Sequence, residues 1–202
     1  MIRSLRAVRL GFIVLVSTIA VYGHAQATPT ASQGYQLSVF GGGTGNFTGL
    51  LGGKNLDVTA GADLGFRSFF RLNPSIEVRG TFPIKKGHIA SEKNVVAGLK
   101  VQKDFGRLHP YVDFLVGRGA VDYSRPYPDA TGSIFYIRTT GLVYSPGIGA
   151  DLDITNHFSL KADFQIQRYS TPILGIGHLN SKATTGAIVY RFDFNHHRHQ
   201  RY

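Results

Sequence analysis

The chain has 202 residues, a formal charge of +10, 25 glycines, 14 phenylalanines and no cysteine. The missing cysteine excludes disulfides, and basic residues scattered along the chain rather than clustered on one element argue against a nucleic-acid partner. Beyond residue 22 no stretch is apolar and long enough to cross a bilayer as a helix.

The N-terminus carries Arg3, Arg6 and Arg9 without an acid, then the apolar run Leu10 to Tyr22, then small residues at spacing two in Gly23-His24-Ala25 and Ala25-Gln26-Ala27. That is a charged region, a hydrophobic region and a small-x-small site. Residues 1–27 are therefore expected to be a cleavable signal peptide, cut after Ala25 or Ala27. Residues 28–194 are expected to form one domain, and 195–202 a polar, His-rich tail.

From Tyr35 onward, apolar and polar residues alternate, which is the signature of a half-buried strand. The first run is YQLSVFGGG, Tyr35 to Gly43. Asp57 to Arg67 sets Val58, Ala60, Ala62, Leu64 and Phe66 against Thr59, Asp63 and Arg67. Pro74 to Ile84 sets Ile76, Val78 and Phe82 against Glu77, Arg79 and Thr81. Runs at Asn94 to Phe105, Pro110 to Gly119, Ser145 to Ile154 and Phe158 to Tyr169 repeat the pattern, and TTGAIVYRFDF closes it. Eight strands result. The joints 68–74, 106–110 and 155–157 are short and hold Asn, Gly or Pro, as tight turns require. Longer joints are expected at 44–56, 85–93, 120–141 and 170–181. Short turns on one rim and long loops on the other predict an all-β, eight-stranded antiparallel up-and-down barrel.

Three features turn the apolar face outward, toward lipid. Strands of about 10 to 12 residues match a tilted crossing of hydrocarbon. The polar face gathers Asp63, Glu77, Asp104, Asp113, Asp151, Asp153, Asp163 and Asp193 against Arg67, Arg79, Lys100, Lys161 and Arg191. Charges of both signs inside a narrow lumen must pair, because an unpaired buried charge costs several kcal/mol. Phe66, Phe82, Phe105, Phe192 and Phe194 lie near strand ends on the apolar face, where a membrane barrel carries its aromatic girdle. The transmembrane reading makes Asp63, Arg67, Glu77, Arg79, Lys100, Asp113, Asp151, Lys161, Asp163 and Arg191 the expected ion-paired lining of the lumen.

On its eight amphipathic strands, and on HPYVDFLVGRG, GADLDITNHFSLKADFQIQRY and TGAIVYRFDF, the chain resembles the small OmpA/OmpX-like outer-membrane barrels of Gram-negative bacteria, which have a porin-like barrel domain. The resemblance implies an outer-membrane location. It also implies that the alternating aromatics Tyr190, Phe192 and Phe194 serve as an address read by the barrel-assembly machinery. The chain departs from many members by continuing eight residues past Phe194.

Other motifs carry less chemistry. GGGTGNFTGLLGGK, Gly41 to Lys54, fails as a phosphate loop because Thr48 stands where the first glycine is needed and Asn55 follows the lysine. His178 and Ser181 of HLNS, a pair similar to that of outer-membrane lipid A deacylases, fall on opposite faces of a strand, where a catalytic pair cannot converge. The histidines of the tail, His196, His197 and His199, have no supporting shell for a metal. No catalytic residue, cofactor or metal is expected. The expected role is non-enzymatic, in envelope integrity or surface contact through long loops biased positive by Lys54, Lys85, Lys86, Lys93, Arg125, Arg138 and Lys182, against Asp57, Glu92, Asp122 and Asp129. Anionic lipopolysaccharide and outer-membrane lipid are the expected partners. A small solute channel is the next alternative, and a barrel-embedded lipid-modifying enzyme comes third.

Overall fold

The computed structural model describes residues 35–66, 70, 72–85, 88–129, 131–173 and 177–192. The expected signal peptide, Arg67, Lys86, Phe194 and the tail lie outside them. Eight strands run in chain order: β1 (Gln36–Thr48), β2 (Lys54–Gly65), β3 (Leu72–Lys85), β4 (Ala90–Lys103), β5 (Leu108–Pro128), β6 (Phe135–Asp153), β7 (Phe158–Ser170) and β8 (His178–Arg191). Each pairs antiparallel with the next, and β1 pairs with β8 to close the barrel. Closure leaves no unpaired sheet edge.

The alternation is carried through into burial. On β7 every second residue, from Ser159 to Tyr169, is buried inside, and the residues between are exposed. Leu99, Val112, Ile148 and Ile188 point outward and are 57 to 65% exposed. A wall of large aliphatic side chains facing out around a polar interior is the inverse of a soluble barrel, and it suits hydrocarbon. Aromatics gather at the rim that carries the chain ends: Tyr190 meets Phe158 at 5.1 Å and Phe192 at 5.0 Å, ring centre to ring centre.

On that terminal rim the turns are short, as expected: 66–71, 104–107 and 154–157 separate the strands. Gly106 supplies the left-handed backbone (φ 64°) that a tight turn needs. The opposite, distal rim differs from expectation. Its connections span only 49–53, 86–89, 129–134 and 171–177. Ladder pairing consumes the residues expected to be loop. Phe47 pairs with Lys54, and the β5–β6 ladder continues past Ala120↔Thr140 to Pro128↔Phe135, with an irregularity between Asp122 and Tyr127. Lys54, Lys85, Lys93, Arg125, Arg138 and Lys182 therefore sit on strands, and Asp57 and Glu92 lie inside the barrel.

The tip of the β5–β6 hairpin is held by Asp129. Its carboxylate accepts from the Thr131 hydroxyl at 2.8 Å and from the Ser133 and Thr131 backbone N–H groups at 2.9 and 3.1 Å. Gly132 turns the chain with φ 75°. Those bonds, the Thr131 hydroxyl foremost, hold the Asp129 carboxyl below its ordinary value. A folded-state pKa below the unfolded one means that ionised Asp129 supports the tip at neutral pH. That support fades as pH falls through the folded value. Asp129→Ala is expected to speed amide exchange at Thr131 to Ile134 at neutral pH, while the core strands are unaffected. Unchanged exchange would remove this role from Asp129.

Candidate functional site

Inward positions on successive strands build the lumen in layers. Nearest the terminal rim, His109 lies between Asp104 (2.7 Å) and Asp153 (2.8 Å), and Arg191 pairs with Asp153 at 2.6 Å. Arg191 thus closes the rim rather than joining the central network.

The next layer is a plug of ion pairs. Arg79 on β3 reaches across the lumen to Asp163 on β7, with Nη1 to Oδ1 at 2.7 Å, and also pairs with Glu77 two residues away. Asp113 lies 3.6 Å from the same guanidinium. Lys161 donates to Glu77 at 3.2 Å, and Lys100 donates to Asp63 at 3.1 Å and to Asp151 at 3.5 Å. Of the ten residues expected to line the lumen, eight meet in this layer. Arg191 is at the rim, and Arg67 is outside the described residues.

Neutral partners that sequence reading had not singled out complete the plug. Gln165 donates to both oxygens of Asp113 at 2.9 Å and accepts from Ser145 at 2.7 Å. Tyr111 donates to Asp163 at 2.9 Å. The ammonium of Lys161 lies 3.9 Å from the centre of the Phe40 ring, and that of Lys100 lies 4.2 Å from Tyr111. Such contacts favour a cation where water is excluded. Room for these side chains comes from Gly147: an added Cβ would strike the Gln165 amide. Tyr111 and Gln165 share the inward parity of Asp113 and Asp163, which was the legible signal; their partners were not.

Beyond the plug, Thr44 bonds to Thr59 (2.6 Å) and Thr185 (2.8 Å), and Thr59 bonds to Thr81 (2.9 Å). Past this hydroxyl belt come Asn46, Asp57, Glu92, Asn94, Gln167 and Ser181, all buried. An apolar cluster of Leu50, Ala90, Val121, Tyr123, Tyr169, Ile173 and Leu179 covers the distal end. Ser181 donates to Glu92, whereas His178 faces Arg168, so the HLNS pair does not converge.

A closed, eight-stranded up-and-down barrel with an apolar exterior and a charged, filled interior defines a transmembrane β-barrel of the outer-membrane type. No family model and no curated protein matches the chain. Among solved structures it is similar to Neisserial surface protein A, at 14% identity and a TM-score of 0.50, over 79% of this chain and 97% of that one. It is also similar to Ail, the attachment invasion locus protein of Yersinia pestis, at 8% identity and a TM-score of 0.50, over 78% and 97% of the two chains. At these identities the shared property is the fold.

Proposed function

We propose that this is a non-enzymatic outer-membrane barrel that acts in envelope integrity or surface contact, and that its outer wall binds the anionic headgroups of lipopolysaccharide. The observation carrying this reading is the distribution of outward-facing charge. With the chain ends toward the periplasm, the distal half of the wall faces the outer leaflet. There Lys54 and Lys182 flank Phe47 on the neighbouring strand β1. Arg118, Lys93 and Arg138 follow around β4 to β6, with Asp122 bridging the last two at 3.0 and 3.2 Å. Basic side chains above an apolar band match a layer of anionic headgroups, each worth about 1 kcal/mol near such a surface. The name of Ail, an attachment protein, is consistent with a surface role.

The plug and the apolar cover support the non-conducting reading over the channel, since both fill the lumen with buried side chains. The test of the headgroup proposal compares the barrel refolded into zwitterionic vesicles with the same vesicles containing lipopolysaccharide. Lipopolysaccharide should raise the unfolding temperature of the wild type, and salt should weaken the effect. Lys54→Gln/Lys182→Gln/Arg118→Gln should lose most of the increment while matching wild type in zwitterionic lipid. Equal increments would sink the proposal. Steady single-channel currents in planar bilayers would favour the channel instead.

The assembly address is part of the same proposal. Tyr190 sits among Phe158, Phe192 and the ring of His157 at the terminal rim. Tyr190→Ala and Phe192→Ala are expected to slow accumulation of the heat-modifiable form in cells more than Phe164→Ala on β7 does. As ordinary lipid-facing aromatics, all three would lose a similar 1.5 to 3 kcal/mol or so. Equal assembly rates in pulse labelling would reduce β8 to one more lipid-facing strand.

A further inference from the structure

At the terminal rim two tight turns enclose a cleft of about 430 Å³, lined by Arg107, Asp153, Ile154, Thr155, Asn156 and His157. That volume is within the range of small-molecule sites, about 300 to 1,000 Å³. Both walls are fixed by the chain itself. The β4–β5 turn is closed by reciprocal backbone bonds between Phe105 and Leu108 at 2.9 and 3.1 Å. The Asp153 N–H donates to the Arg107 carbonyl at 2.9 Å, which ties this turn to the end of β6. In the β6–β7 turn the Thr155 hydroxyl accepts from the backbone N–H groups of His157 and Phe158 at 3.3 and 3.0 Å. The His157 ring stacks on Tyr190, with ring centres 6.2 Å apart.

The charges around the cleft differ in what they still need. Asp153 is satisfied: one oxygen takes Arg191 at 2.6 Å and Ser159 at 2.7 Å, and the other takes His109 at 2.8 Å. The neighbouring Asp104 is held by His109 at 2.7 Å and by Asn73 at 2.6 Å. Among the described residues no carboxylate pairs with the exposed Arg107. A free guanidinium presents a planar fork of donors that fits a phosphate group. Neither acid is left over to meet a headgroup ammonium, so the local chemistry favours a ligand with net negative charge.

The cleft is continuous with the apolar outer wall. Ile154, 52% exposed, is part of its lining. One step further along the strands, Leu108, Leu152 and Leu160 stand side by side on the outside. Phe158, Tyr190 and Phe192 cluster at the same rim, where an aromatic girdle marks headgroup depth. We propose that this cleft binds one anionic phospholipid, its phosphodiester on Arg107, Asn156 and His157 and an acyl chain along Ile154, Leu152 and Leu108. A basic pocket at headgroup depth is the usual form of such a site. It goes beyond the lipopolysaccharide proposal, since it lies on the opposite rim, and it rests on that reading only for the leaflet that supplies the lipid.

The test uses the mature chain refolded in maltoside detergent, stripped of lipid and titrated with phosphatidylglycerol, with bound lipid counted by native mass spectrometry. One lipid should bind saturably, ahead of any further adducts. Phosphatidylethanolamine should bind more weakly, and diacylglycerol, which lacks the phosphate, should not compete. Arg107→Gln should weaken the adduct roughly tenfold or more, the loss expected for a charge-assisted contact. Arg118→Gln, on the distal wall, should leave it unchanged, and so separates this site from the lipopolysaccharide proposal. The Arg107 side chain supports no other residue, so the variant should fold, which heat-modifiability on a gel checks; His157→Ala is the second variant, expected to weaken the adduct as well. An adduct of wild-type strength in Arg107→Gln would overturn the proposal. So would displacement of the lipid by inorganic phosphate at equal concentration, the mark of a free-anion site, or by an acetylated peptide with a free C-terminal carboxylate, the mark of a peptide site.

Discussion

Arg79→Ala is expected to destabilise the folded barrel by about 3 to 5 kcal/mol, the cost of breaking a buried ion pair from one side. The guanidinium is 2% exposed and serves Glu77, Asp113 and Asp163 together. Its loss leaves those three carboxylates to Lys161 and Lys100, which reach Glu77 at 3.2 and 3.8 Å, and to the neutral donors Tyr111 and Gln165. Arg79→Lys should fall between the two, because a point charge cannot reproduce the fork that grips Asp163 through Nη1 and Nη2. The measurement is reversible urea unfolding in vesicles. An unchanged midpoint for Arg79→Ala would mean that water, rather than the guanidinium, satisfies these acids.

Leu99→Arg is expected to cost roughly 2 to 4 kcal/mol in lipid, the penalty for a charge near the bilayer midplane. Leu99 is 65% exposed and lies on the outer wall between Ile76 of β3 and Phe114 of β5. No acid is directly opposite it on either strand. Gln102→Arg, near the terminal rim of the same strand, should cost less because the rim meets water. Folding yields into vesicles of increasing thickness separate the two. A Leu99→Arg barrel that inserts as well as wild type would place the hydrocarbon elsewhere on the wall.

Both expectations draw on what was legible in the sequence. The inward parity of Glu77, Arg79, Lys100, Asp113, Asp151, Lys161 and Asp163 follows from counting by twos along each strand, and all seven are buried. The same count carried on through KNLDV would have put Asn55, Asp57 and Thr59 on one face. Glycines and a lysine in the segment 44–56 instead suggested a loop. Glycine lowers strand propensity locally, but pairing on both sides holds Gly45 in β1. Tertiary pairing overrode local preference there.

Strand number, antiparallel order, the terminal-rim turns and the outward direction of the apolar face were set by the sequence alone. These depend on pleat and turn chemistry, which act over a few residues. Which charges meet was decided by the tertiary structure. Arg79 finds Asp163 across 84 positions of chain, and Glu92 finds Ser181 across 89, because closure of β8 on β1 brings β3 opposite β7 and β4 opposite β8. Stagger between paired strands sets the height of each inward side chain, and no local pattern encodes it. For the same reason only the closed barrel separates the five acids that share three cations from the distal layer of Asp57 and Glu92, where Glu92 accepts from the neutral Asn46 and Ser181.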